Sequence, residues 1–257
     1  MGHIIAVINQ KGGVGKTTTA INLGAYLAKT GRSVLLVDMD PQGNATSGLD
    51  INKQSLDGTM YEVLFGEIIA QQPIIHETST MGLYILPANA HLAAAEIDLA
   101  GEQRREYKLK EAIKNVNYDY VLIDCPPALG LLTINALTAA QKVLIPVQAE
   151  YYALEGLGQL LDVIQRVRSG LNAQLEILGV LVTMYDSRTT LAENVAEELK
   201  KHFGDKVLTT VIPRNVRLAE APSYGRSILE HDKWSKGARA YKQLAKEIDK
   251  RTGGNTK

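Results

Sequence analysis

Cysteine is almost missing from these 257 residues: Cys125 stands alone, so no disulfide can form within the chain, and its own thiolates cannot build a zinc or iron–sulfur site. The expected compartment is a reducing cytoplasm. Net charge is missing as well, since Lys plus Arg and Asp plus Glu number 28 each, and the whole chain carries no electrostatic signature of a nucleic-acid binder. No apolar run is long enough to span a bilayer, which argues against a membrane protein. The first residues, Met1 to Asn9, lack a charged leader and a small-residue cleavage site and read as a first β-strand. Linkers rich in Pro, Gly or Ser, low-complexity tracts and solenoid-length repeats are absent too, so one domain over 1–251 with a frayed tail at 252–257 is the economical organisation.

What is present is a core-forming chain, 45% hydrophobic, in which short Val/Ile/Leu runs alternate with helical patterns. The runs fall at 3–9, 33–38, 83–87, 120–124, 142–148, 175–183 and 207–212. That alternation predicts an α/β fold, a single-domain, mostly parallel twisted sheet with helices on both faces. Several runs stay apolar until a last polar residue: Asn9, Asp38, Asp124 or Gln148. Ligands of open α/β sheets sit outside the carboxyl ends of the strands, so these residues mark the working edge.

Straight after the first run comes Gln10-Lys11-Gly12-Gly13-Val14-Gly15-Lys16-Thr17-Thr18-Thr19, then a helical pattern from Ala20 to Lys29. Strand, glycine loop and helix in that order form a P-loop: backbone N–H groups turn in on phosphate oxygens, Lys16 reaches the β- and γ-phosphates, and the Thr17 hydroxyl suits Mg²⁺. The helix N-terminus adds its positive end. The usual first glycine is replaced by Gln10, with Lys11 beside it.

Two carboxylate-bearing turns follow. The second run ends in Asp38-Met39-Asp40-Pro41, two acids two residues apart that share a face if the strand continues. Asp40 is the expected acid that orients or activates an attacking water, with Asp38 supporting the metal shell or the loop. Val121-Leu122-Ile123-Asp124 has the form of a Walker B strand, and Asp124 is expected to hold Mg²⁺ through water. Pro126 and Pro127 stiffen the exit, and Cys125 reads as a packed small residue.

The loop, both acidic turns, and the segments Pro146 to Gly156 and Val211 to Ser223 together resemble the ParA/Soj chromosome-partitioning ATPases over nearly the whole chain. The resemblance implies a deviant Walker A motif in which Lys11 reaches the nucleotide of a partner subunit. It implies a homodimer closed around two ATP molecules with Mg²⁺, nonspecific binding of double-stranded DNA by that dimer, and hydrolysis stimulated by a ParB-type centromere-binding protein. It places Lys11, Lys16 and Asp40 in catalysis, and Lys11, Gly12, Gly13, Val14, Gly15, Lys16, Thr17 and Thr18 around the phosphates. Met184 and Pro213 fall on the adenine, and Thr17, Asp40 and Asp124 at the metal. No guanine-reading Asn-Lys-x-Asp segment occurs, so ATP is expected over GTP.

Charge distribution fits a DNA role: from Asp186 onward there are 15 Lys and Arg against 10 Asp and Glu. Arg188, Arg214, Arg217, Arg226, Lys233 and Lys236 lie in this part, and all but Arg214 are taken as DNA contacts, with Arg188 and Arg217 favoured by the resemblance. The last helix, from about Ser235, turns Ala238, Tyr241, Leu244, Ala245 and Ile248 inward and mostly lysine outward. A nucleoid-associated cytoplasmic protein is the expectation. The rivals are a MinD-like membrane-associated positioning ATPase and a P-loop small-molecule kinase or synthetase. The first calls for a terminal amphipathic helix, but only polar residues follow Ile248. The second calls for an acceptor pocket that the sequence does not reveal.

Overall fold

A computed structural model describes residues 2–71, 74–150 and 156–253. Seven strands form one sheet: β1 (His3–Val7), β2 (Val34–Asp38), β3 (His76–Glu77), β4 (Leu83–Leu86), β5 (Tyr120–Asp124), β6 (Lys142–Gln148) and β7 (Glu176–Thr183). Their order is β3-β4-β2-β5-β1-β6-β7, parallel throughout except for the short β3 against β4. The sheet is thus the mostly parallel one expected.

Parallel strands need crossovers, and helices supply them on both faces. The long ones are α1 (Lys16–Lys29), α2 (Leu131–Ala139), α3 (Leu157–Gly170), α4 (Thr190–Phe203) and α5 (Lys236–Arg251). Side-chain alternation splits the core in two. Ile4, Ala6, Leu35, Val37, Val121, Ile123, Val143 and Ile145 face one layer with α2, α3 and α4. Ile5, Val7, Val34, Leu36, Leu122 and Leu144 face the other, with α1 and α5.

The α5 pattern is as expected: Ala238, Tyr241, Leu244, Ala245 and Ile248 are buried, while Lys236, Lys242, Lys246 and Lys250 are exposed. A partly buried ion pair pins its end. Asp249 accepts two hydrogen bonds from Arg32 (3.1 and 3.0 Å) and a third from the Tyr120 hydroxyl (2.8 Å). Thr252, placed at the start of the tail by the sequence, hydrogen-bonds the same hydroxyl at 2.7 Å, and 254–257 lie outside the described residues.

The expected seventh strand at 207–212 is only two isolated parallel bridges, Val180 with Val207 and Tyr185 with Pro213. Leu208 and Ile212 still donate to the Val180 and Val182 carbonyls (2.9 and 2.8 Å), while between them the Glu247 carboxylate on α5 accepts from the backbone N–H groups of Thr209 and Thr210, both at 2.9 Å. The antiparallel pair at His76–Glu77 has no counterpart in the sequence reading, because two residues are too few for periodicity to show.

Candidate functional site

β1 is central, with β5 on one side and β6 on the other, and the chain leaving it crosses β5 to form β2. A crevice opens at such a switch point, beyond the carboxyl ends of the strands. Register fixes what lines it. Val7 and Asp38 both pair with Asp124, so the start of the glycine loop and two aspartates meet at one level.

The loop is fastened from below. Asn9 is buried, donates to the Pro146 carbonyl (2.7 Å) and accepts from the Lys11 N–H (3.0 Å); the Thr183 hydroxyl on β7 donates to the Val14 carbonyl (2.8 Å). Gly13 and Gly15 have φ of 75° and 88°, left-handed values that glycine adopts freely. Gly15 is the N-cap of α1, and neither a side-chain cap nor an acidic residue occupies that first turn. The helix N–H groups are therefore left for an anion.

Lys16 is buried and donates to the Lys11 carbonyl at 3.2 Å, so its ammonium folds back over its own loop. Burial pushes its pKa down, against the pull of the Asp124, Cys125 and Asp40 charges. The Lys11 ammonium goes elsewhere: it lies at the surface, 3.5 Å from Glu150, which also meets Arg214 at 3.6 Å. Two lysines five residues apart thus take different partners.

The three aspartates are in three different states. Asp38 is fully buried and works on the backbone, accepting from the Asp40 N–H (3.2 Å), the Thr46 N–H (2.9 Å) and the Thr46 hydroxyl (2.7 Å). Burial raises its pKa to about 6 even though the Thr46 bonds favour the anion. Asp40 has Oδ1 held by the Gln42 N–H at 2.9 Å and lines the crevice. Asp124 is fully buried, and neither of its oxygens has a hydrogen-bond partner of its own. Burial, then the neighbouring Asp38 charge, raises its pKa, while the nearby Thr17 hydroxyl and Lys16 oppose the shift.

An orphaned buried carboxylate beside a threonine hydroxyl suits Mg²⁺, which keeps much of its water and shares its shell with phosphates. Among the described residues no three His, Cys, Asp or Glu side chains form a metal cage. Cys125 is buried and its thiol pushed upward by burial, so it packs and does not react.

Two cavities meet at the loop. One, about 510 Å³, is lined by Gly12, Gly13, Gly15, Lys16, Thr17 and Asp40, among others, and takes in Gln42, Asn44, Ser47 and Pro222, which the sequence reading did not single out. The second, about 330 Å³, adjoins Gly15 and Thr18 and is walled by Met184, Ile212, Pro213, Asn215, Leu218 and Tyr241. Met184 has a φ of +51°, an unusual left-handed value for a non-glycine residue, and it borders both cavities. Thr46 was missed as well. Its hydroxyl also accepts from the Ala88 N–H (3.0 Å), a link between distant segments that leaves no local trace in sequence.

The basic residues are divided. Arg188 is bound in a bidentate pair to Asp186 (2.9 and 2.7 Å) and holds that carboxyl below its usual range. Arg217 pairs with Glu220 (2.8 Å) and approaches Asp232 (3.8 Å), which brings it beside the turn carrying Lys233. Lys233 sits over the ring of the exposed Trp234. Among the described residues, Arg226, Lys233 and Lys236 form no ion pair.

Sheet order, glycine loop and paired aspartates define a P-loop nucleoside triphosphatase. Comparison with known proteins narrows the class. A family model described as an AAA domain matches residues 2–177. The chain is 57% identical to the sporulation initiation inhibitor protein Soj of Bacillus subtilis, over 96% of this chain and 98% of that one. It is 54% identical to the chromosome-partitioning ATPase Soj of Thermus thermophilus, over 95% and 94%. Among solved structures, one from Mycobacterium smegmatis described as cobyrinic acid a,c-diamide synthase with bound ADP and magnesium is 40% identical, with a TM-score of 0.86 and coverage of 100% and 98%. The chain belongs to the ParA/Soj family of chromosome-partitioning ATPases.

Proposed function

We propose that two copies of this chain close around ATP and Mg²⁺, that the closed dimer holds double-stranded DNA without reading its sequence, and that hydrolysis stimulated by a ParB-type partner releases it. The observation that carries this reading is the division of labour between Lys16, folded into its own loop, and Lys11, whose ammonium lies outside it at Glu150. A cation at the rim is placed to neutralise phosphate charge in a facing copy, as an arginine finger does.

In this reading the P-loop amides, Lys16 and Thr18 hold the phosphates. Met184 and Pro213 pack on the base. Asp40 orients the water that attacks the γ-phosphorus as the β–γ bridging oxygen leaves with ADP. Mg²⁺, when bound, would neutralise phosphate charge; Thr17 would supply its hydroxyl, Asp124 would hold the metal's water shell, and Asp40 would join them. Asp38 supports the loop. Arg188, Arg217, Arg226, Lys233 and Lys236 contact phosphates, a mode that carries no sequence information. The dimer doubles their number, which is enough to make DNA binding ATP-dependent.

Two other readings have a footing. The Mycobacterium smegmatis relative described as a synthase favours transfer to a small acceptor. Phosphate release without any added acceptor, raised by DNA and the partner, separates partitioning from that chemistry. Recruitment to a membrane surface is the other reading, and liposome flotation with ATP tests it. The deciding experiment for the dimer is light scattering with a nonhydrolysable ATP analogue. Wild type is expected to double its mass and Lys11→Ala to stay monomeric; a wild-type monomer at saturating analogue overturns the reading.

A further inference from the structure

The 330 Å³ cavity beside Gly15 and Thr18 has almost wholly apolar walls, and its polar groups are nearly all committed. The Thr183 hydroxyl donates to Val14, the Tyr241 hydroxyl is bonded to Thr19 (3.2 Å), and the Ile212 and Arg214 N–H groups are bonded to Val182 and Tyr185. Among the described residues, one buried side-chain acceptor in its wall is left over. Asn215 lines this cavity, and its Oδ1 is buried with no hydrogen-bond partner.

Its backbone position sharpens the anomaly. Asn215 is the N-cap of the helix Val216–Glu220, where an asparagine oxygen ordinarily accepts from an N–H of the first turn, yet the side chain makes no such bond. A buried acceptor turned away from local donors carries a penalty that only a donor in the cavity removes.

We propose that Asn215 is the base-reading residue of the site: its Oδ1 accepts a hydrogen bond from the exocyclic 6-amino group of adenine. This rests on the reading of the crevice as a nucleotide site. Met184, Pro213 and Leu218 supply area that any purine can cover, whereas the unpartnered Asn215 oxygen distinguishes a 6-amino purine from a purine with hydrogen at that position. Turning the amide would offer its NH₂ to a 6-oxo purine, so Asn215 selects firmly against the unsubstituted base and more weakly against hypoxanthine. An aspartate, an acceptor at both oxygens, removes that second option.

The test is isothermal titration of the full chain with nucleoside 5′-diphosphates, which avoids hydrolysis. Wild type is expected to bind ADP about tenfold more tightly than purine riboside diphosphate, the ratio that one buried hydrogen bond supports. Asn215→Ala should bring that ratio to within about twofold, and Asn215→Asp should widen the ADP-to-IDP ratio beyond that of wild type. Equal wild-type affinity for ADP and purine riboside diphosphate overturns the assignment, as does a preference that survives in Asn215→Ala. If Asn215→Ala does not fold, the wild-type ratio and Asn215→Asp still decide. Failure of wild type to bind either diphosphate refutes the nucleotide reading itself, while equal binding of both refutes only the role of Asn215.

Discussion

Replacing Thr46 by valine keeps the shape of the side chain and removes two buried hydrogen bonds. The hydroxyl donates to Asp38 at 2.7 Å and accepts from the Ala88 N–H at 3.0 Å, and neither Thr46 nor Asp38 is accessible to solvent. A bond to a buried carboxylate contributes about 1.5–3 kcal/mol and a neutral one about 1 kcal/mol, so Thr46→Val should destabilise the nucleotide-free protein by about 3 kcal/mol at pH 8. The loss should depend on pH. Asp38 has a folded pKa raised to about 6, so whatever stability its protonation contributes is present below the ordinary carboxylate range and is lost as pH rises through about 6. The Thr46 bond acts against that shift by favouring the anion, and removing it raises the folded pKa further. The penalty is therefore about 1–2 kcal/mol at pH 5, where Asp38 is protonated in both proteins, and grows above pH 6 to reach its full size only above the variant's own, higher pKa. Urea unfolding followed by circular dichroism, repeated from pH 5 to 8, measures this directly. A destabilisation under about 1 kcal/mol at pH 8, or one equal at both ends of the range, would refute the idea that a charged Asp38 organises the turn.

Three further substitutions test the site. Lys16→Ala should lower ATP affinity by about two orders of magnitude with an unchanged far-ultraviolet spectrum, because it removes the one ammonium inside the loop; near-normal titration with ATP would contradict its placement. Asp40→Ala should bind ATP and accumulate as a dimer that does not turn over, and a protein that stays monomeric with ATP in size-exclusion chromatography would count against Asp40 as the hydrolytic acid. Arg217→Glu should abolish gel-shift of DNA at low salt while sparing ATP-driven dimerisation. Unchanged DNA affinity would remove Arg217 from the interface and leave its pairs with Glu220 and Asp232 as its role.

Much of the site could be read directly because its chemistry is local. Gly13 and Gly15 set the loop through backbone torsions and Lys16 and Thr17 open the helix directly after it, so their spacing in the chain is already their geometry. Asp124 was legible for a similar reason: an apolar strand that ends in one acid sets that acid at the sheet edge. Thr46 and Asn215 were not. One matters because it joins Asp38 to Ala88, the other because its oxygen lacks the capping bond its position predicts, and both facts need coordinates. The interrupted strand at 207–212 has the same origin, since its pattern is strand-like and the Thr210 donor between the bonded Leu208 and Ile212 goes to Glu247, about forty residues onward.

By itself, then, the sequence determined the alternation of strands and helices, the phosphate loop and the acids at the strand ends, since each follows from periodicity or from neighbours along the chain. Strand order, the side-by-side setting of Asp38 and Asp124, and the separate directions of Lys11 and Lys16 were decided by tertiary structure. Parallel pairing joins residues scores of positions apart, and which strand lies beside which is settled by packing two apolar faces at once.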